Sequence, residues 1–489
     1  MSIIQSVNEK ISRLSTEYFG KDILEVILHS KNYFLGDILG QALLFLTIPI
    51  YTRLLTPSEY GTFQVFRSYT TIFLMVLTLN FHGTVARYYY ENRDDFKEFV
   101  GTSILGSFAS LALSVFVLLL FRQPLSSLFG VSQGLLALIL FFLPIRVLDT
   151  VFNQICISRK ESVRYSLINN IRSVLAYGGG IALIFFFQKD KFYGPILAQF
   201  LAGILISFYT IKIIKAQLKW APTLNHVKYI FTYSVPLIPY ALSGLLLDQL
   251  DRLIINKTSG ASDAGLYSFA YNIGMVVSLA TDALSNALVP DWFRLMKNQE
   301  YERIDVLMNR VFNLTLLIAF GGILFSKELV EILSDKEYHA ALSILPIVMV
   351  GYVFDALSKV YLRSIGYTNK MIYVSAVGMA TVVFNFVLNI ILLPRYGYVA
   401  GAYVTVFSFF LLFVLAWWVA KFILKQPTTP LKTFLNSALI FTGAMGLYFM
   451  IINFNFDLVI SLILRGFLLT LFAASMLIIS RNRNLNLER

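Results

Sequence analysis

Long apolar runs separated by short polar connections recur along almost the whole chain. A helix needs about 20 mostly apolar residues to cross a bilayer. Fourteen segments meet that rule: 33–52, 63–86, 99–121, 134–157, 165–187, 193–213, 231–256, 264–290, 305–326, 340–362, 371–393, 399–420, 433–453 and 458–480. In lipid every backbone N–H and C=O must find its partner internally, so uninterrupted runs of this length are helices. The pattern predicts an all-α integral membrane protein of about 14 transmembrane helices. The connections leave no room for a soluble catalytic domain, which argues for a membrane transporter and against an enzyme.

Charge fixes the predicted orientation. The N-terminus, the C-terminus and the connections after the even-numbered spans carry about 26 Lys and Arg, against about 8 in the remaining connections. The positive-inside rule then places both termini in the cytoplasm and predicts a multi-pass protein of the cytoplasmic (inner) membrane. The net charge of +12 is therefore topological, with contact to anionic membrane lipids, and does not point to nucleic acid. Residues 1–31 contain Glu9, Lys10, Arg13, Glu17, Lys21, Asp22 and Glu25, which break every apolar run. They read as an amphipathic cytoplasmic or interfacial segment rather than a cleavable signal.

Composition agrees. The chain is 57% hydrophobic and 14% charged, where soluble domains carry about 25% charged residues. Its 43 Phe and 27 Tyr suit lipid-facing and interfacial positions. One cysteine, Cys156, excludes an intramolecular disulfide framework and a Cys-rich metal site. No P-loop pattern occurs, so no ATPase is encoded in the chain. No cofactor is expected.

Two echoes suggest an internal duplication. "TPSEYGTFQVF" after span 1 has Ser58, Glu59, Gly61 and Phe63, and "GASDAGLYSFA" after span 7 has Ser262, Asp263, Gly265 and Tyr267. A second echo pairs Gly194 in "KFYGPILA" with Gly401 in "GYVAGAYV". The separations, 204 and 207 residues, agree closely. Six spans per copy preserve orientation, so the copies are related by an axis along the membrane normal. The expected organisation is residues 1–31, a first six-helix lobe 32–215, a cytoplasmic linker 216–230, a second lobe 231–425, and a C-terminal helix pair with tail 426–489. Pro144, Pro236 and Pro239 are expected to bend spans 4 and 7.

The stretches "YTRLLTPSEYGTFQVF" (51–66), "DRLIINKTSGASDAGLYSFAYNIG" (251–274) and "NFVLNIILLPRYGYVAGAYVT" (385–405) resemble the polysaccharide transport family of the MOP exporter superfamily, the Wzx-type O-antigen flippases. The resemblance runs through nearly the whole chain. It implies translocation of undecaprenyl-diphosphate-linked oligosaccharide repeat units by alternating access, coupled to a proton or sodium ion. The implied partners are that lipid-linked substrate and polysaccharide polymerase or assembly proteins. Within transport, the competing readings are a peptidoglycan lipid-precursor flippase and a multidrug exporter. Outside it stands a membrane glycosyltransferase or polymerase, against which the short outer connections and the lack of an Asp-x-Asp motif argue.

Ionisable residues inside spans cost roughly 2.5–3.5 kcal/mol each at a helix centre, so each needs a partner or a purpose. Asp248 with Arg252 and Asp355 with Lys359 are four apart, and Arg146 with Asp149 three apart; all three can pair along one helix face. Asp248, Asp251, Arg252, Asp355 and Lys359 are read as gate or ion-pair residues, Asp251 needing a partner from another helix or the cavity. Arg67, Arg146 and Arg172 are the candidates for the diphosphate, because guanidinium binds phosphate oxygens bidentately and stays charged. Asp37 and Asp282 are the ion-coupling candidates, since a desolvated carboxylate can take up a proton in one state and release it in another.

Overall fold

The computed structural model describes residue 36 and residues 39–91, 94–368, 370–454 and 456–488. Residues 1–31 and Asp37, to which sequence reading gives an interfacial and a coupling role, lie outside the described residues. No strand occurs among the described residues. The chain runs through α1 (Leu39–Leu54), then α2 (Pro57–Leu77), α3 (Val85–Glu91), α4 (Phe96–Leu120), α5 (Arg122–Phe129), α6 (Gln133–Ser158) and α7 (Ser162–Ile184). It continues through α8 (Tyr193–Ala216), α9 (Leu224–Ser259), α10 (Ala261–Ala287), α11 (Val289–Lys297), α12 (Tyr301–Leu324) and α13 (Ser326–Leu333). The last four are α14 (Leu345–Tyr367), α15 (Met371–Trp418), α16 (Lys432–Asn453) and α17 (Leu458–Glu488).

Among the described residues nine helices are long and apolar enough to cross a membrane, and twelve if each of three bent pairs forms one span. α15 is itself two helices joined at Gly397 (φ 65°, ψ −166°), a backbone conformation open to glycine because it lacks a Cβ. α1 is a shorter apolar helix. Counted this way, each of the fourteen sequence segments has a helix. Span 2 is not continuous: it breaks where Leu79 and Asn80 take positive φ, ahead of a 3-10 turn at Phe81–Thr84. Span 8 bends by 48° between α10 and α11. α5, α11 and α13 are short helices in or beside connections that the hydropathy pattern treats as loop.

The chain divides into two compact units. The first holds residues 1–47, 73–122 and 136–236; the second holds 48–72, 123–135 and 237–489. Their boundaries cut across chain order, because α2 up to Ile72 and most of α5 group with the second unit, and one boundary falls beside Pro236.

In the first unit, α7 packs along α8, and Gly194 at the start of α8 lies so close to Ile184 that a Cβ would meet its backbone nitrogen at 2.8 Å. The start of α9 is tied down by His226, whose ring is buried between Asp95 (Nε2 to Oδ2, 2.9 Å) and Thr102 (Nδ1 to Oγ1, 3.2 Å). Tyr88 donates to Asp95 and stacks on Phe99 at 3.7 Å. Burial raises the Asp95 pKa, but the His226 and Tyr88 hydrogen bonds outweigh it and hold this carboxyl below its ordinary value.

In the second unit, the two echoed turns become helix starts that meet. Thr56 and Glu59 form a reciprocal capping box: the Thr56 N–H donates to Glu59 at 3.0 Å and the Glu59 N–H to the Thr56 hydroxyl at 3.3 Å. Pro57, with no N–H to satisfy, takes the first helical position. Gly61 of α2 and Gly265 of α10 then face each other. A Cβ on Gly61 would lie 1.9 Å from the Ala261 carbonyl oxygen, and one on Gly265 1.9 Å from that of Pro57. Tyr60, Phe63 and Tyr267, each 1% exposed, fill the space around the crossing.

Candidate functional site

Three constellations of polar groups lie within the spans, one in the first unit and two in the second.

In the first unit α6 and α7 share one carboxylate between two guanidiniums. Asp149, 2% exposed, sits 2.7 Å from Arg172 and 3.4 Å from Arg146. Arg172 is mostly buried and also donates to Asn169 at 2.9 Å, which in turn donates to Asn153 at 3.1 Å. Arg146 is 34% exposed. Two arginines against one aspartate leave a net positive charge between α6 and α7. Arg67, the third candidate, falls in the second unit, where it donates to Gln64 at 3.3 Å and lies 5.9 Å from the Phe63 ring.

The second constellation surrounds Asp251, 3% exposed. Tyr267 donates to its Oδ2 at 2.6 Å and Asn389 to its Oδ1 at 2.6 Å, while the Thr405 hydroxyl donates to Oδ2. Asn389 also donates to Asn385 at 3.0 Å. The partners that Asp251 lacked on its own helix come from α10 and from both arms of α15, and all are neutral. One acceptor stays orphaned: the buried Asn389 Oδ1 has no hydrogen-bond partner among the described residues. Arg252, one residue on, does not pair with Asp248. It donates to Gln249 at 2.9 Å, an oxygen already held by Ser68 at 2.6 Å, and its guanidinium lies 5.8 Å from the Tyr271 ring.

The third constellation lines a cavity of about 680 Å³ bounded by α9, α10, α14 and α15. Lys359 projects from α14 and bridges two carboxylates, Asp282 of α10 at 2.8 Å and Asp355 at 2.7 Å, with Ser278 at 3.0 Å. Asp248, Arg363, Tyr240, Ser243, Ser285 and Asn286 complete the polar wall. Asp355, Lys359 and Arg363 recur every four residues, so one stripe of α14 faces the cavity. Asp282, expected to couple an ion, is here an ion-pair partner.

Arg363 is the residue that sequence reading passes over. The apolar run of span 10 fades near residue 362, which leaves Arg363 in the following connection, whereas α14 continues to Tyr367. The i, i+4 spacing from Lys359 was the signal available. Among the described residues no group of three or more His, Cys, Asp or Glu is placed to hold a metal ion.

Comparison with known proteins agrees with this architecture. Residues 32–296 match the family model described as "Polysaccharide biosynthesis protein". A curated relative, the "Probable low-salt glycan biosynthesis flippase Agl15" of Haloferax volcanii, is 24% identical over 395 residues, 79% of this chain and 81% of the relative. Among solved structures, the lipid II flippase MurJ in an inward closed conformation superposes with a TM-score of 0.72 at 17% identity, covering 95% of this chain and all of MurJ. An inward-facing multidrug resistance MATE transporter of the MOP superfamily gives 0.62 at 14% identity, covering 79% of this chain and 94% of that one. This multi-pass membrane protein belongs to the polysaccharide biosynthesis protein family, and its fold is the one seen in the MurJ and MATE structures.

Proposed function

We propose that the protein translocates undecaprenyl-diphosphate-linked oligosaccharide repeat units across the cytoplasmic membrane by alternating access, with both termini in the cytoplasm. The observation that carries this reading is the Arg146–Asp149–Arg172 cluster. Taking a diphosphate out of water requires charge that does not itself deprotonate, and a guanidinium meets phosphate oxygens in bidentate geometry. Asp149 holds both arginines in place yet cancels only one of their charges. Arg67 is a further diphosphate candidate. The saccharide end of the substrate, its polymerase partner and the pathway it feeds stay within this proposal.

Coupling to a proton or a sodium ion fits Asp251 better than Asp282. Asp282 shares Lys359 with Asp355 in an ion pair, whereas Asp251 has only neutral donors and, beside it, an amide oxygen with no hydrogen-bond partner among the described residues. The carboxylate, the Thr405 hydroxyl oxygen and the Asn389 Oδ1 are the hard oxygen donors an alkali cation prefers. A proton on Asp251 would meet the same need for neutrality.

A second reading, export of organic cations, is favoured by the cavity in the second unit, where Asp248, Asp282 and Asp355 outnumber Lys359 and Arg363. Reconstituted proteoliposomes separate the two. A polyprenyl-diphosphate-linked oligosaccharide should cross the bilayer in an ion-gradient-dependent manner, and Arg146→Ala and Arg172→Ala should stop it, with Lys restoring part. Movement of a lipophilic cation with no movement of the glycolipid would replace the flippase reading by the exporter reading.

A further inference from the structure

The cavity of the second unit holds groups that the diphosphate does not use, and their chemistry differs from that of the arginine cluster. Its volume of about 680 Å³ lies within the range of small-molecule sites. Ser285 lines it, is only 8% exposed, and makes no hydrogen bond within the described structure. Asn286 and Asp248 also line it, and neither side chain has a hydrogen-bond or ion-pair partner among the described residues. Tyr240, 39% exposed, offers part of its ring. A hydroxyl, an amide, a carboxylate and an aromatic face are the set that recognises a polyol: the first three exchange hydrogen bonds with hydroxyls, and the ring covers an apolar C–H face.

The charge of the wall narrows the choice of polyol. Lys359 is committed to Asp282 and Asp355. The charged groups that act on Asp248 are Asp355, Arg252, Lys359 and Asp282; with Asp248 itself they amount to three negative and two positive charges. Arg363, one turn beyond Lys359 on α14, has Asp282 as its charged neighbour. An anion placed against Asp248 meets a carboxylate that has no ion-pair partner of its own among the described residues, whereas a neutral hydroxyl meets an acceptor. Two glycines in the wall, Gly244 and Gly366, have nothing within 4 Å of where a Cβ would stand, so the space in front of them is open.

We propose that this cavity is the saccharide subsite for the lipid-linked substrate, and that Asp248 makes it select neutral over acidic sugars. The proposal rests on the flippase reading and names the part of the protein that reads the glycan.

Binding to the purified full-length chain in nanodiscs tests it with three probes sharing one short polyprenyl diphosphate: one without sugar, one with a neutral disaccharide, and one whose terminal sugar is glucuronic acid. The neutral disaccharide should bind more tightly than the sugar-free probe, and the acidic one about tenfold more weakly than the neutral one, as expected for like charges at a partly solvated site. Asp248→Asn should bring the acidic probe to within about twofold of the neutral one. Gly244→Phe, and independently Gly366→Phe, should remove the gain that the disaccharide confers, in protein whose thermal transition matches the parent. Equal affinity of the parent for the neutral and acidic probes, or an unchanged difference in Asp248→Asn, overturns the charge selection. A disaccharide gain that survives both cavity-filling variants overturns the subsite while the diphosphate reading stands. Failure of all three probes to bind the folded protein overturns both.

Discussion

The crossing of α2 and α10 at Gly61 and Gly265 makes a quantitative expectation possible. A methyl on Gly61 would stand 1.9 Å from the Ala261 carbonyl oxygen, and Cβ atoms are essentially never found closer than 3.0 Å to a neighbour, so that carbonyl must retreat by about 1.1 Å. The obstacle is backbone of a regular helix and cannot rotate away as a side chain would. Relief requires the two helices to part, and Tyr60, Phe63 and Tyr267, each 1% exposed, leave no slack around them. Overpacking of this kind costs about 1–3 kcal/mol. With an unfolding entropy near 2.1 cal/mol/K per residue over 489 residues, 2 kcal/mol corresponds to a Tm lowered by about 2 °C if the chain melts as one unit. Gly265→Ala meets the Pro57 carbonyl at the same distance and should cost about as much. The decisive measurement is the double variant. Helices already parted for the first methyl admit the second cheaply, so the double variant should be less destabilised than the sum of the singles, by about 0.5 kcal/mol or more. Thermal melts of the four proteins in detergent give the cycle. Strict additivity, or single variants with the parent Tm, would refute the close crossing.

Three further expectations follow from named contacts. Asp149→Asn leaves Arg146 and Arg172 facing each other without a counter-charge; by analogy with broken buried pairs it should cost about 3–5 kcal/mol, read as a lowered Tm, and the further change Arg172→Gln should recover part of it. Arg465 of α17 binds Glu328 of α13 through two bonds, of 3.0 and 2.8 Å, and the Leu324 carbonyl at 2.9 Å. Arg465→Ala should loosen the C-terminal helix, measured as faster proteolysis after α16, whereas Arg465→Met with Glu328→Leu should resist better because no buried charge is stranded. The Asp95 carboxyl is held below its ordinary value by His226 and Tyr88 against burial. A group whose folded pKa is depressed stabilises fully above the unfolded value, and loses that contribution as pH falls through the folded one. Acidification below about pH 4 should therefore lower the Tm of the parent more than that of Asp95→Asn; parallel curves would show that the His226–Asp95 contact contributes nothing.

Much of the fold is legible in the sequence because its cause is local. A run of 20 apolar residues in lipid has to be a helix whatever surrounds it, and the Thr56–Glu59 capping box depends on four consecutive residues. The break at Leu79–Asn80 and the short helices α5, α11 and α13 escape hydropathy because windows long enough to find a span average over them. The candidate site is less legible, since its contacts join residues far apart in the chain. Asp149 meets Arg172 from the next helix, Lys359 reaches Asp282 across 77 residues, and the donors to Asp251 come from positions 267, 389 and 405. Spacing along one helix offered Arg252 to Asp248, yet Arg252 donates to Gln249, whose oxygen Ser68 also holds from a distant part of the chain.

The sequence by itself thus determined the helical class, the apolar spans, the family, and the fact that costly charges sit inside the spans, since each depends on composition or on neighbours within a turn or two. Only the tertiary structure decided which of those charges are already spent on one another and which stay available. Electrostatic partnership in a low-dielectric interior is set by distances of a few ångströms between different helices, and no periodicity within one helix encodes them. It paired Asp282 with Lys359, enclosed Asp251 among neutral donors, and brought Arg363 and Asp248 to the wall of a cavity that no single segment announces.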